Sequence, residues 1–87
     1  MRTDEQGRAV RVTLIGKPGC HLCDEARIVI EDVTREVGVA YEERSILDDP
    51  DLFEAYWEQI PVTLVDGRRH DYFRVDPQRL RAALGGR

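Results

Sequence analysis

Cys20 and Cys23 are the only cysteines of the chain, and two residues separate them. The thiolate form of cysteine attacks disulfides and binds metal ions, whereas the thiol does neither well. The pair therefore predicts thiol–disulfide exchange or metal binding. A structural bridge is the weaker interpretation, because so short a loop adds little stability to a fold.

The cysteine pair lies where a predicted strand gives way to a predicted helix. Val10–Ile15 is strand-like, Gly16–Gly19 has turn composition, and apolar residues recur at helical spacing from Leu22. Cys20 would therefore stand at a helix N-terminus, where free N–H groups and the helix dipole lower a thiol pKa from its free value of about 8.5. Cys23, one turn further on, would be more buried. These positions predict that Cys20 attacks a disulfide and that Cys23 resolves the mixed disulfide.

Two alternatives remain open for the same residues. The first is a metal- or cluster-binding module that uses the cysteine pair. Zinc sites usually have four ligands, and only His21 and His70 could supplement the two cysteines. The other alternative is a partner-binding adaptor that keeps the fold without turnover and uses the acidic middle of the chain as its surface.

The predicted elements follow the order β-α-β-α-β-β-α. The first two strands are joined through a helix, so they should be parallel with a right-handed crossover. Asp66-Gly67 predicts a tight hairpin between the last two strands. The result is an α/β fold with a mixed four-stranded sheet flanked by three helices. The later strands are predicted at Val39–Ile46, Ile60–Val65 and His70–Val75.

Proline and glycine mark the predicted helix ends. Asp49 and Asp76 are each followed by proline, which is typical of an N-cap and a first helical position. Gly38 is placed to end the first helix, and Gly85-Gly86 the last. The second helix carries a group of large apolar residues that predicts core packing: Leu52, Phe53, Tyr56 and Trp57.

Composition limits the classes of protein that fit. With 87 residues, 41% of them hydrophobic, the chain predicts one domain over residues 1–87, with residues 1–8 as a flexible lead-in. No apolar run approaches the roughly 20 residues needed to span a bilayer, and the start lacks a signal-peptide pattern. We therefore expect a soluble, cytoplasmic monomer without a membrane partner. A net charge of -4 argues against a nucleic-acid partner.

Charge is distributed unevenly along the chain, which we interpret as two solvated faces rather than a docking surface. The tail is rich in arginine. The acidic residues of the middle are Glu31, Asp32, Glu36, Glu42, Glu43, Asp48, Asp49, Asp51, Glu54 and Glu58.

Three motifs together resemble the glutaredoxins of the thioredoxin superfamily. They are Lys17–Cys23 after the first strand, Ile60-Pro61-Val62 at the third, and Asp66-Gly67 in the next turn. The chain is most similar to short bacterial glutaredoxin-like proteins with a Pro-Gly-Cys-His-Leu-Cys-Asp stretch, over Val10 to Leu84. The resemblance implies a thioredoxin-like fold and an enzyme that reduces disulfides of proteins or low-molecular-weight thiols. A reductase or a thiol reductant would recycle it.

The same resemblance implies a role for each site residue. Cys20 would be the nucleophile and Cys23 the resolving thiol. Pro61 would be a cis-proline facing the pair, and the backbone of Ile60 would pair with a bound substrate. Lys17 matches the lysine with which glutaredoxins hold a carboxylate of glutathione.

Departures from the glutaredoxin pattern affect the expected ligand. Glutathione-binding members carry Gly-Gly and then an acidic residue before the last helix, whereas this chain reads Phe73–Pro77. The acid remains as Asp76, a candidate substrate-binding residue that could equally be an N-cap. The glycines that let a ligand approach the backbone are missing, which makes glutathione a possible but doubtful partner. We expect no tightly bound cofactor. His21, also a candidate for substrate binding, stands between the cysteines where proline is common.

Overall fold

The computed structural model describes residues 2–85 and shows the seven elements in the predicted order. Gly86, predicted to help end the last helix, lies outside the described residues. The elements are β1 Val10–Gly16, α1 His21–Val37, β2 Ala40–Ser45, α2 Pro50–Tyr56, β3 Val62–Val65, β4 Arg68–Tyr72 and α3 Pro77–Gly85.

The four strands form one mixed sheet in the order β2-β1-β3-β4. β1 is parallel to β2 and antiparallel to β3, with Ile15 opposite both Arg44 and Val62. β3 and β4 form the predicted hairpin. The predicted α/β architecture is confirmed. Because β1 has a partner on each side, it is a central strand, and its last residue, Gly16, lies between two neighbouring strands.

Apolar layers cover both faces of the sheet. α1 and α3 cover one face, where Leu14 of β1 meets Ile30 and Leu80, all at most 1% exposed. α2 covers the other face, where Leu52 packs against Ile15. Full burial of one such side chain contributes about 1.5–3 kcal/mol. The end of β1 that leads to the cysteines is therefore held between two packed layers.

Gly38 ends α1 as predicted. Its φ of 88° is left-handed, and its N–H donates to the Thr34 carbonyl over 2.9 Å. Glycine adopts this conformation without a Cβ penalty. The predicted cap of α2 is also confirmed, since the Asp49 side chain accepts from the Asp51 N–H over 2.9 Å.

The hairpin turn is confirmed, but the limits of its strands differ from prediction. Asp66 and Gly67 have φ of 52° and 81°, as a two-residue hairpin turn requires. β4 therefore resumes at once at Arg68, and it stops at Tyr72 because Phe73 has a φ of 63°. The prediction of a strand over His70–Val75 was wrong at both ends. β3 likewise begins two residues later than predicted, at Val62, after Pro61.

The packing predicted for the second helix was wrong for two of its aromatic residues. Leu52 and Tyr56 pack against the sheet, but Phe53 and Trp57 are 45% and 53% exposed. Both pairs have the spacing i, i+4, and a helix of 7 residues can bury only one such stripe. The exposed rings stack on each other, with centroids 6.2 Å apart.

The residues before β1, predicted to be a flexible lead-in, form a hydrogen-bonded turn. The Asp4 N–H donates to the Arg8 carbonyl over 2.8 Å, and Thr3 pairs with Ala9. Within residues 2–85, no helix is long and apolar enough to cross a membrane.

Candidate active site

Cys20 is the N-cap of α1. Its backbone is extended, and its Sγ accepts a hydrogen bond from the Cys23 N–H over 3.2 Å. The first N–H groups of a helix have no partner within the helix, so the sulfur takes the place of a capping oxygen. The same N–H and the positive end of the helix dipole would stabilise a negative charge on this sulfur.

Cys23 lies below Cys20 and is 2% exposed. The two Cα atoms are 5.1 Å apart, and the structure joins the sulfurs as a disulfide. Cys20 is half-buried, so it is the more accessible of the two. The predicted difference in burial between the cysteines is therefore observed.

Gly16 provides the space that the Cys23 side chain occupies. A Cβ built on Gly16 would lie 2.6 Å from the Cys23 Sγ and 3.3 Å from its Cβ. Real Cβ atoms do not approach that closely, so the position requires glycine. The turn composition of Gly16–Gly19 does not predict this contact. A glycine at the end of an apolar strand, just before a cysteine motif, is the signal for close approach that could have identified it.

Pro61 lies at the same end of the sheet as the cysteines. The Ile60–Pro61 peptide bond is cis, and Pro61 is buried. Because Ile15 pairs with Val62, the next step of the register puts Pro61 beside Gly16, which in turn contacts Cys23. Ile60 is half-buried and packs against the core beneath α2.

A cleft of about 310 Å³ opens beside Cys23 and is lined by charged residues. Arg27 in this cleft binds two carboxylates, Asp24 at 2.8 Å and Glu43 at 3.1 Å. These hydrogen bonds raise the pKa of the Arg27 guanidinium, and the bond with Glu43 contributes most. Lys17 also lines the cleft, and no carboxylate within residues 2–85 forms an ion pair with it. Arg44, the third cation of the cleft, is bound to Asp49 at 3.1 Å. Lys17 is therefore the cleft cation available to an anionic group.

His21, predicted as a substrate-binding residue, points into solvent. Its side chain is 90% exposed and lies 3.6 Å from the Glu25 carboxylate. Glu25 also accepts a hydrogen bond from Arg74 over 3.1 Å. Arg74 is exposed and lies beyond the end of β4.

Asp76, the other predicted substrate-binding residue, caps α3. Its Oδ1 accepts from the N–H groups of Gln78 at 2.8 Å and Arg79 at 3.2 Å. The position is exposed at the helix start. The N-cap interpretation of this residue is therefore realised in the structure.

Phe73, just after β4, has a backbone conformation that the sequence does not predict. Its N–H donates to the Pro61 carbonyl over 2.7 Å, and its side chain is 47% exposed. With φ at 63°, it stands in a conformation that costs a non-glycine residue roughly 1–2 kcal/mol. The residue type does not predict this conformation, because phenylalanine rarely adopts it.

His21 and His70 are the histidines that could supplement the cysteines as metal ligands. Within residues 2–85, no group of three or more His, Cys, Asp or Glu side chains is placed to hold a metal ion. The His70 Nε2 lies 3.6 Å from the Asp71 carboxylate.

A sheet of this topology with a cysteine pair at the start of α1 defines a thioredoxin-fold protein. The model of the Glutaredoxin-like domain (DUF836) matches residues 11–85, and the chain belongs to that family. The family resemblance of the sequence motifs is thereby confirmed.

Relatives and solved structures agree with this assignment. The chain is 30% identical over 79 residues to the uncharacterized protein Rv0508 of Mycobacterium tuberculosis, covering 85% of this chain and 81% of that protein. The structure of target protein XcR50 from X. campestris has a TM-score of 0.70 at 32% identity, covering 87% of this chain and 97% of that one. A mutant thioredoxin from Halobacterium salinarum shares the fold, with a TM-score of 0.64 at 16% identity, covering 97% of this chain and 85% of that one.

Proposed function

We propose that this protein is a dithiol oxidoreductase that reduces disulfides of proteins or small molecules through Cys20 and Cys23. The observation that carries the proposal is the hydrogen bond from the Cys23 N–H to the Cys20 Sγ over 3.2 Å at the start of α1. A sulfur so placed is stabilised as a thiolate, and its buried neighbour is already within bonding reach.

The exchange has two steps. The Cys20 thiolate attacks one sulfur of a substrate disulfide, which forms a mixed disulfide and releases the first substrate thiolate. The Cys23 thiolate then attacks the Cys20 sulfur, which releases the second substrate thiolate and leaves the Cys20–Cys23 disulfide. Two electrons pass to the substrate, and a thiol reductant or a reductase restores the dithiol.

Lys17 supports binding of substrates that carry a negative charge beside the disulfide, since it lines the cleft and is not paired with a carboxylate of residues 2–85. Ile60 offers backbone for a substrate strand next to Pro61. We propose no resident cofactor. The protein would act as a monomer in the cytoplasm, where thiols are kept reduced.

The test is single-turnover reduction of an aromatic disulfide by the pre-reduced protein. Wild type should release two equivalents of thiolate. Cys23→Ser should release one equivalent and keep the other half as a mixed disulfide on Cys20, visible by mass spectrometry. Cys20→Ser should react far more slowly, because Cys23 is buried. A wild-type protein that reacts no faster than free cysteine would refute the proposal.

A further inference from the structure

Three large apolar side chains of the β2–α2 region are exposed together. Leu47, Phe53 and Trp57 are 64%, 45% and 53% exposed. With Ile46, Pro50 and Glu54 they line a groove of about 480 Å³, called here the apolar groove. Contiguous exposed apolar surface, rimmed by polar residues, is typical of an interaction site.

The apolar groove adjoins the cleft beside Cys23 through one short loop. Ser45 and Asp48 line the cleft, while Ile46 and Leu47, between them in sequence, line the groove. The Ile46 N–H donates to the Gly16 carbonyl over 2.9 Å, which fixes this loop to the strand that leads to the cysteines. A molecule bound at the disulfide could therefore extend directly into the groove.

The segment that carries the apolar groove is acidic, and its carboxylates, among them Glu54 of the groove lining, are called here the acidic rim. From Ser45 to Gly67 the sequence contains no lysine or arginine. The nearest preceding cation, Arg44, is bound to Asp49 at 3.1 Å. Arg69, beyond the stretch, lies over the ring of Tyr56, which packs against the sheet. Five acidic residues lie in and next to α2: Asp48, Asp49, Asp51, Glu54 and Glu58.

We propose that the apolar groove docks a polypeptide segment bearing apolar and cationic side chains, next to the protein disulfide that Cys20 attacks. Apolar residues of the segment would cover Leu47, Phe53 and Trp57, and its lysines or arginines would face the acidic rim. The inference rests on the proposed function and adds the substrate class: a protein with a basic, apolar sequence beside its disulfide. The chemistry is the two-step exchange above, with two electrons passing from the dithiol to the docked protein.

The kinetic test uses two synthetic peptides and pre-reduced protein in single turnover. Each peptide carries one cysteine as a mixed disulfide with thionitrobenzoate, followed by leucine and tryptophan interspersed with lysine in one peptide and glutamate in the other. Cysteine itself, carrying the same group, is the substrate without a tail. Wild type should react about tenfold faster with the lysine peptide than with the glutamate peptide at low salt, and the difference should shrink at high salt.

Variants locate the effect. Trp57→Ser should lower the rate ratio between the lysine peptide and the tail-free substrate, and Glu54→Lys should reduce the rate difference between the two peptides. Ile28→Ser is the matched control, because Ile28 is 61% exposed on α1, across the sheet from α2. It should leave both ratios as in wild type.

Trp57 also allows binding to be measured without chemistry, since it is the only tryptophan of the chain. A protein with both cysteines replaced by serine should show a saturable fluorescence change with a lysine peptide that contains serine in place of cysteine and phenylalanine in place of tryptophan. The glutamate version should bind more weakly.

The outcomes separate the two proposals. Equal rates for both peptides, with rapid reduction of the tail-free substrate, would overturn the docking site and leave the proposed function standing. A fluorescence change without any rate difference would also overturn it, as would a dimer in sedimentation that Trp57→Ser dissociates, because a second copy would then cover the groove. Failure to reduce even the tail-free substrate would instead refute the proposed function.

Discussion

Gly16 and Cys23 approach each other so closely that a Cβ on Gly16 would stand 2.6 Å from the Cys23 Sγ. The contact joins the end of the central strand to the first turn of α1, two elements that carry the rest of the site. It also determines the depth of the Cys23 sulfur beneath Cys20. The placement of the Cys23 sulfur therefore depends on a residue that has no side chain of its own.

Replacing Gly16 with alanine should push Cys23 out of position. We expect Gly16→Ala to destabilise the protein by about 1–3 kcal/mol, as overpacking of a core usually does, and to slow closure of the Cys20–Cys23 disulfide. Denaturant unfolding and release of the second thiolate in single turnover measure the two effects. Gly85→Ala is the matched control, because no neighbouring atom within residues 2–85 lies within 4 Å of its added Cβ. Equal behaviour of the two variants would contradict the prediction.

Lys17 should select for negative charge near the substrate disulfide. Lys17→Gln should slow reduction of an anionic aromatic disulfide by about two- to fivefold, the range of an exposed ion pair, and should not slow reduction of cationic cystamine. Lys17→Arg should keep most of the preference. Arg68→Gln removes an exposed cation at the hairpin turn, at the opposite end of β3 from Pro61, and should change neither rate. An identical loss with both substrates would show that Lys17 acts on the site rather than on substrate charge.

The sequence was sufficient for features governed by local chemistry. The cysteine spacing, the strand-to-helix junction and the Asp66-Gly67 turn each carry their own backbone preference, and the structure has all three in place. Parallel pairing of β1 with β2 followed from the intervening helix alone. These features define the position of the site within the fold.

Features that depend on how the elements pack against each other could not be predicted from the sequence. α2 offers two equivalent apolar stripes, and only its angle to the sheet decides that Tyr56 packs and Trp57 is exposed. The Gly16 contact arises between elements whose distance no pattern encodes. Phe73 adopts a left-handed backbone because Pro61, far away in sequence, accepts its N–H.

Phe73 should restrict the approach of glutathione to the backbone near Pro61. Phe73→Gly removes both the side chain and the Cβ that opposes a φ of 63°. We expect faster reduction of the oxidised protein by glutathione, with a change in stability within about 1 kcal/mol, because relief of strain offsets lost contacts and added chain entropy. Phe73→Ala removes the ring but keeps the Cβ, so it should gain less. A glycine variant no faster than wild type would exclude this explanation.

Asp76 should act on the stability of α3 through its cap. Asp76→Ala removes the acceptor for the Gln78 and Arg79 N–H groups and should cost about 1 kcal/mol in the free energy of unfolding. Asp76→Asn keeps an acceptor oxygen without the charge and should retain nearly full stability. Urea unfolding of the three proteins is the measurement. Equal losses in both variants would mean that the charge, rather than the cap, matters.

Tyr41 should make folding sensitive to alkaline pH. Burial, followed by the hydrogen bond that its hydroxyl donates to Glu31 over 2.9 Å, raises the pKa of Tyr41 to about 12. Because a tyrosine in the unfolded chain has a pKa of about 10, the group stabilises the fold fully below that pH and loses its contribution as pH rises toward the folded-state value.

Absorbance of the tyrosinate band measures this directly. One of the three tyrosines should titrate near pH 12 in the oxidised protein, and Tyr41→Phe should abolish that step. Tyr72→Phe, which changes an exposed ring on β4, should leave the step in place. The stability difference between wild type and Tyr41→Phe should narrow as pH rises from about 10, since only wild type must then bury a group that favours ionisation. A difference that stays constant across that interval would show that Tyr41 contributes packing and not a proton-linked term.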